Sequence, residues 1–179
     1  MKIQIALTLL ALAAPVVSHA QAAVDTKNPV VWSAKEIYNR QSKYIIAAAD
    51  QMSAEKFTYK PTADQWTYGK IIAHVAQANF AVCAMLSDTP APKDMKIAET
   101  DSKEALGTAL KASFDSCDKA LAILQDSKLG DTITYFRGAK VPRARALVEL
   151  TDDLEDHYSQ MASYLRLNGM LPPSAQPKK

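Results

Sequence analysis

Glycine is scarce in this sequence, 5 residues in 179, and its β-branched clusters are short. A β-sandwich or a Rossmann sheet with a glycine-rich turn therefore fits poorly, and helices are favoured. Two cysteines are too few for a disulfide scaffold or a four-cysteine zinc site. An excess of one charge is also missing. The 21 basic and 19 acidic residues leave a net +2 with no basic stripe, which argues against a nucleic-acid binder. There is no glycine-rich phosphate loop and no Gly-x-Ser-x-Gly elbow. Histidine is limited to His19, His74 and His157, so imidazole chemistry has few places to live. What is present is 48% hydrophobic and 22% charged, the composition of one globular domain.

The first residues read as an export signal. Lys2 is the only charged side chain before Asp25, Ile3 to Val17 is apolar with Pro15 near its end, and small residues follow. We expect residues 1–20 to be a signal peptide, with cleavage after Ala20 or after Ala22. The apolar run is short for a bilayer-spanning helix, and no cysteine lies at the cleavage site to carry a lipid. His19 is then removed. No second long apolar run is evident, so the expected product is a soluble periplasmic or secreted protein that leaves the membrane once the signal is cleaved.

Four amphipathic segments follow. Pro29 opens the first at an N1-like position, with Val30, Ala34, Ile37, Gln41, Ile45, Ala48 and Met52 at helical spacing. The second runs from about Thr67 to Leu86 on Ile71, Val75, Ala78, Val82 and Met85. The third covers roughly Ser102 to Gln125 on Leu106, Leu110, Cys117, Leu121 and Leu124. The fourth opens at Pro142 and ends at Asn168-Gly169, a C-cap signal ahead of Pro172-Pro173. These predict an all-α four-helix bundle over residues 28–173, with a disordered tail at 174–179. Thr132 to Phe136 is β-prone, but an isolated strand cannot form a sheet, so it is expected to be an extended loop.

The fourth helix carries an anomaly. Its apolar stripe reads Leu147, Leu150, Leu154, His157, Met161, Tyr164, and Asp153 stands four residues before His157 on the same face. A carboxylate beside a histidine there is costly without a partner. Three solutions are open. Asp153 orients the histidine, or it pairs with Arg143 or Arg145, or both side chains hold a metal ion. His74 lies at the edge of the second helix's apolar face, where a lone histidine is ordinarily a satisfied core residue. Bundle interiors nevertheless build metal sites from facing side chains. His74, Asp153 and His157 would form a two-histidine, one-carboxylate set suited to zinc, iron, manganese or nickel. Glu155 and Asp156 are expected to point away from this seam. In an exported chain, Cys83 and Cys117 are expected to be bridged, or else to remain buried thiols.

Three stretches resemble a known family: Met52 to Pro61 leading through Trp66-Thr67-Tyr68-Gly69 into His74, Tyr135-Phe136-Arg137-Gly138, and His157-Tyr158-Ser159-Gln160 running to Gly169. Together they are similar to the DinB/YfiT-like family of four-helix-bundle metal-binding proteins. The resemblance implies a metal between helices two and four. The family's usual ligands are a histidine at the start of helix two and two histidines spaced i, i+4 on helix four. His74 and His157 match the outer pair, and Asp153 stands where the middle histidine would be. Characterised members include thiol-dependent transferases and an isomerase that use cytosolic low-molecular-weight thiols, a supply an exported chain lacks. The expected function is a divalent-metal-dependent enzyme of hydrolase or transferase type acting on a small molecule, with Tyr158, Gln160 or Tyr68 supporting the site. The alternative is a non-catalytic periplasmic bundle with a degenerate metal site. The resemblance also implies a homodimer.

Overall fold

The structure, a computed structural model, describes residues 23–92 and 96–177. The expected leader, residues 1–20 with its alternative end at 22, lies outside the described residues. Four long helices form the bundle: α1 (Pro29–Gln51), α2 (Tyr68–Ser87), α3 (Lys103–Ile123) and α4 (Arg143–Leu167). Each packs on two others, α2 on α3 and α4, and α1 on α4 and α3. The order around the core is thus α1, α4, α2, α3.

Local chemistry explains three of the helix starts and the end of α4. Pro29 opens α1, where its missing N–H is no loss. Asn28 does not cap the helix with its own side chain. Instead Asp126, in the loop after α3, accepts from the Val30 and Val31 N–H groups at 2.9 and 2.8 Å, and its own N–H donates to Asn28 Oδ1 at 2.9 Å. A carboxylate distant in sequence thus meets the positive end of α1. The Thr67 hydroxyl caps α2 by accepting from Lys70 N–H, and Ser102 caps α3 by accepting from Ala105 N–H. Gly169 ends α4 at φ 74°, with its N–H on Arg166 and the Met170 N–H on Leu165. That is the Schellman closure that Asn168-Gly169 signalled.

The stripes on α3 and α4 are buried as expected, including His157. On α1 Gln41, Ile45, Ala48 and Met52 are buried as expected, and only the N-terminal turns are rotated. Val31 and Tyr38 are buried, while Val30 is exposed. Tyr38 reaches across to α3, its hydroxyl donating to the Phe114 carbonyl and to Asp118. Helix α2 buries most of its residues, with a mean hydropathy of 1.3 over its most apolar 18-residue window, enough by composition and length for a membrane span. This long apolar run departs from the expectation that none follows the leader. Its reason is packing, because α2 is enclosed by α3 and α4. Cys83 and Cys117 form a disulfide between α2 and α3, with Cα atoms 5.0 Å apart.

Two expectations are corrected. Thr132 to Phe136 is not a lone extended loop. Thr132–Thr134 (β1) pairs antiparallel with Lys140–Pro142 (β2), Ile133 opposite Val141. The connecting turn uses the left-handed conformation at Arg137 (φ 57°) and Gly138 (φ 81°). The partner strand was illegible because Lys140-Val141-Pro142 is short and lacks alternation. The segment from Ser174 also does not begin as a disordered tail. Pro173–Ala175 makes a 3-10 turn, and the Ser174 N–H donates to the Tyr158 hydroxyl at 2.8 Å.

Candidate metal centre

Helices α2 and α4 lie side by side, and this brings the three predicted residues together. His74 Nε2 stands 3.3 Å from Asp153 Oδ1, and His157 Nε2 stands 3.4 Å from the same oxygen. The imidazole rings are 4.7 Å apart between centroids. One ligand atom from each of the three lies within 4.8 Å of the others. The i, i+4 spacing on α4 does the rest, since it stacks Asp153 one turn from His157 on one face.

The alternative partners for Asp153 are engaged elsewhere. Arg143 is buried at the C-terminus of α2, donating to the Met85 and Leu86 carbonyls and pairing with Asp88 at 2.7 Å. Arg145 pairs with Glu149 one turn along its own helix. Asp153 therefore faces two histidines and no arginine among its described ion pairs.

The electrostatics follow. Burial raises the Asp153 pKa, but hydrogen bonds and charge from His157 and His74 outweigh it and hold the carboxyl at about 2. Burial pulls the His157 pKa down, and the Asp153 carboxylate overcomes this, so the ring titrates above its ordinary value. The centre is graded in exposure: the His157 side chain is 7% exposed, Asp153 20% and His74 38%.

Trp66 is one residue that sequence reasoning missed as part of the site. Its indole stacks on His157 at 5.8 Å and 18° and sits tilted against His74 at 5.1 Å. The Tyr164 hydroxyl donates to the Trp66 carbonyl at 2.8 Å, tying this loop to α4. The adjacent Thr67 cap fixes where the loop becomes helix. The one signal available was the position of Trp66 just ahead of the helix bearing His74.

Beside His157 is a groove of about 460 Å³ lined by Asp64, Trp66, Asp156, His157, Gln160 and Tyr164. Asp156 therefore does not point away from the site. Its Oδ2 lies 3.9 Å from His157 Nδ1 and accepts from Gln160 Nε2 at 2.8 Å. Glu155 does point away and pairs with Arg40. Tyr68 and Tyr158 serve the scaffold, the first donating to the Ala48 carbonyl and the second accepting from Ser174 while stacking on Tyr44.

The sequence profile of the DinB superfamily matches residues 37–161, well over half of the chain and spanning all three converging residues. The chain belongs to the DinB superfamily. Solved structures agree on the fold. A DinB-like protein from Bacillus subtilis superposes with a TM-score of 0.65 at 18% identity, covering 81% of this chain and 99% of that one. A DinB-like protein from Bacillus cereus gives 0.63 at 16% identity, covering 78% and 93%. A mycothiol-dependent maleylpyruvate isomerase gives 0.61 at 16% identity, and the match covers 73% of this DinB chain but only 60% of the isomerase. No curated protein matches by sequence.

Proposed function

We propose that this DinB-superfamily protein is an exported, divalent-metal-dependent enzyme of hydrolase or transferase type, acting on a small molecule at the α2–α4 seam. The observation that carries this reading is the convergence of His74, Asp153 and His157 around one carboxylate oxygen. The donor chemistry fits. Two imidazole nitrogens and one carboxylate oxygen suit zinc, nickel, manganese or iron, and three protein ligands leave positions open. His74, Asp153 and His157 would hold the ion, which when bound supplies a Lewis acid to polarise a substrate group or activate water.

The chain's own residues supply the rest. Asp153 stays ionised well into acid and places a fixed negative charge at the centre. Trp66 packs against both imidazole rings and sets one wall of the site. The groove along Asp64, Asp156 and Gln160 is of a size suited to a small ligand, since such sites span about 300–1,000 Å³. The buried Cys83–Cys117 disulfide supports an oxidising compartment, as does the leader-like start of the sequence. The mycothiol-dependent chemistry of the isomerase would need a thiol cofactor outside the cytosol, so a thiol-independent substrate is favoured here.

One observation favours a second reading, a non-catalytic periplasmic bundle that binds a ligand or partner. Asp153 already has two imidazole neighbours, and protonated His157 alone can balance its charge. Calorimetric titration of tag-free protein with zinc and nickel separates the two. The enzyme reading predicts one site per chain in the wild type, lost in His157→Ala and in His74→Ala. Absence of saturable binding in the wild type supports the non-catalytic bundle.

A further inference from the structure

His157 has two ring nitrogens, and the metal reading accounts for only one. Nε2 faces Asp153 and His74. Nδ1 is buried and has no hydrogen-bond partner among the described residues, within a side chain only 7% exposed. A buried donor or acceptor left in that state costs about 1–3 kcal/mol, so an orphaned Nδ1 needs an explanation. Its nearest anionic neighbour is Asp156, with Oδ2 at 3.9 Å, just beyond hydrogen-bond reach. That carboxylate is held in place by Gln160, one turn further along α4, which donates to the same oxygen at 2.8 Å.

The two carboxylates on either side of the ring compete for its proton. Asp153 beside Nε2 draws the N–H to that nitrogen. An ion can take Nε2 only when the proton of the neutral ring sits on Nδ1. A group that accepts from Nδ1–H therefore favours the metal-ready tautomer and fixes the ring plane. We propose that Asp156, held by Gln160, is the positioning residue for His157, accepting its Nδ1–H when an ion occupies Nε2. This rests on the metal reading above and adds a residue to it. The rotation needed is small, because 3.9 Å must shorten only to the roughly 2.7–2.9 Å of a charge-assisted hydrogen bond. Carboxylate–histidine–metal arrangements of this kind typically govern about 10–100-fold in metal affinity.

The test uses the full mature chain without a tag, titrated calorimetrically with zinc and with nickel. Asp156→Ala should weaken both about 10–100-fold. Gln160→Ala keeps every charge but frees the carboxylate, and it should weaken binding in the same direction by a smaller factor. Glu155→Gln removes a neighbouring negative charge that pairs with Arg40 instead, and its affinity should match the wild type. Asp156→Glu should recover part of the loss. The Asp156 side chain is 65% exposed, so the metal-free Asp156→Ala protein should melt with the wild type. In the zinc-loaded wild type, the His157 Nδ1–H proton should be visible by NMR and protected from exchange, and that protection should vanish in Asp156→Ala. Wild-type affinity in Asp156→Ala would overturn this assignment and leave the metal reading standing. An equal loss in Glu155→Gln would also overturn it, since a general charge effect would then suffice. A wild-type protein without metal affinity would overturn the metal reading, and this assignment with it.

Discussion

Two imidazoles share one oxygen of Asp153, and this makes the metal-free centre sensitive to pH in two opposite directions. Asp153 titrates at about 2 in the folded protein against an ordinary 3.8. Its contribution is complete above 3.8 and is lost as pH falls towards the folded value. With the side chain 20% exposed, that shift corresponds to roughly 2 kcal/mol. His157 runs the other way. Its folded pKa lies above 6.5, so its contribution is complete below 6.5 and is lost as pH rises through the folded value. We expect the chelator-treated protein to be most resistant to urea between the ordinary carboxylate and imidazole values. Asp153→Asn should flatten both limbs. A wild-type urea midpoint that does not change across this range would contradict the assignment. Asp153 and His157 were legible as a pair from spacing alone, because α-helical geometry leaves no other outcome for i and i+4. The identity of their partner was not legible, since Arg143, Arg145 and His74 all satisfied the sequence equally. Trp66 and Asp156 were missed for the same reason. Which loop covers a site, and which side of a ring an adjacent carboxylate approaches, are set by tertiary contacts.

The placement of α2 decides whether His74 reaches the seam at all. Gly69 in its first turn lies where a Cβ would stand 2.9 Å from the Glu99 carbonyl oxygen and 3.3 Å from that of Phe57. Its N–H also donates to Phe57 at 2.8 Å. Alanine would gain about 1 kcal/mol in helix propensity over glycine. The clash with two backbone oxygens should exceed this, giving a net loss of about 1–2 kcal/mol in Gly69→Ala by denaturant unfolding. A more stable variant would show that this approach is not tight. At the other end of α2, the Cys83–Cys117 bridge closes a sequence separation of 34, which the chain-entropy estimate values at roughly 4 kcal/mol. The double variant Cys83→Ala/Cys117→Ala should lose a comparable amount, and an unchanged urea midpoint would refute a stapling role. The four helices were readable because each carries a sustained apolar period. The β1–β2 hairpin was not, because three-residue strands carry almost no pattern and Lys140–Pro142 pairs only through the turn at Arg137-Gly138. Val30 and Val31 show the limit of periodicity on α1. Either could have led the stripe, and the Asp126 carboxylate from the far end of α3 receives both of their N–H groups.

At the scale of the molecule, the bundle is a packed frame for one polar seam. Helix α2 lies between α3 and α4, and the charged residues of the seam enter where α2 and α4 meet beneath Trp66. A frame of this kind gains stability from an ion in proportion to how tightly the ion is bound, because the unfolded chain has no assembled site. The central claim is that His74, Asp153 and His157 hold one divalent ion. The most direct measurement is elemental analysis of the protein purified without a polyhistidine tag, paired with its melting temperature before and after EDTA and after readdition of zinc, nickel, manganese or iron(II). We predict close to one metal per chain and a melting temperature that falls with EDTA and recovers with at least one of these ions, an excess of about 100 times the Kd contributing about 2.7 kcal/mol. Protein free of metal, with a melting temperature moved by neither EDTA nor any of the four ions, would contradict the account.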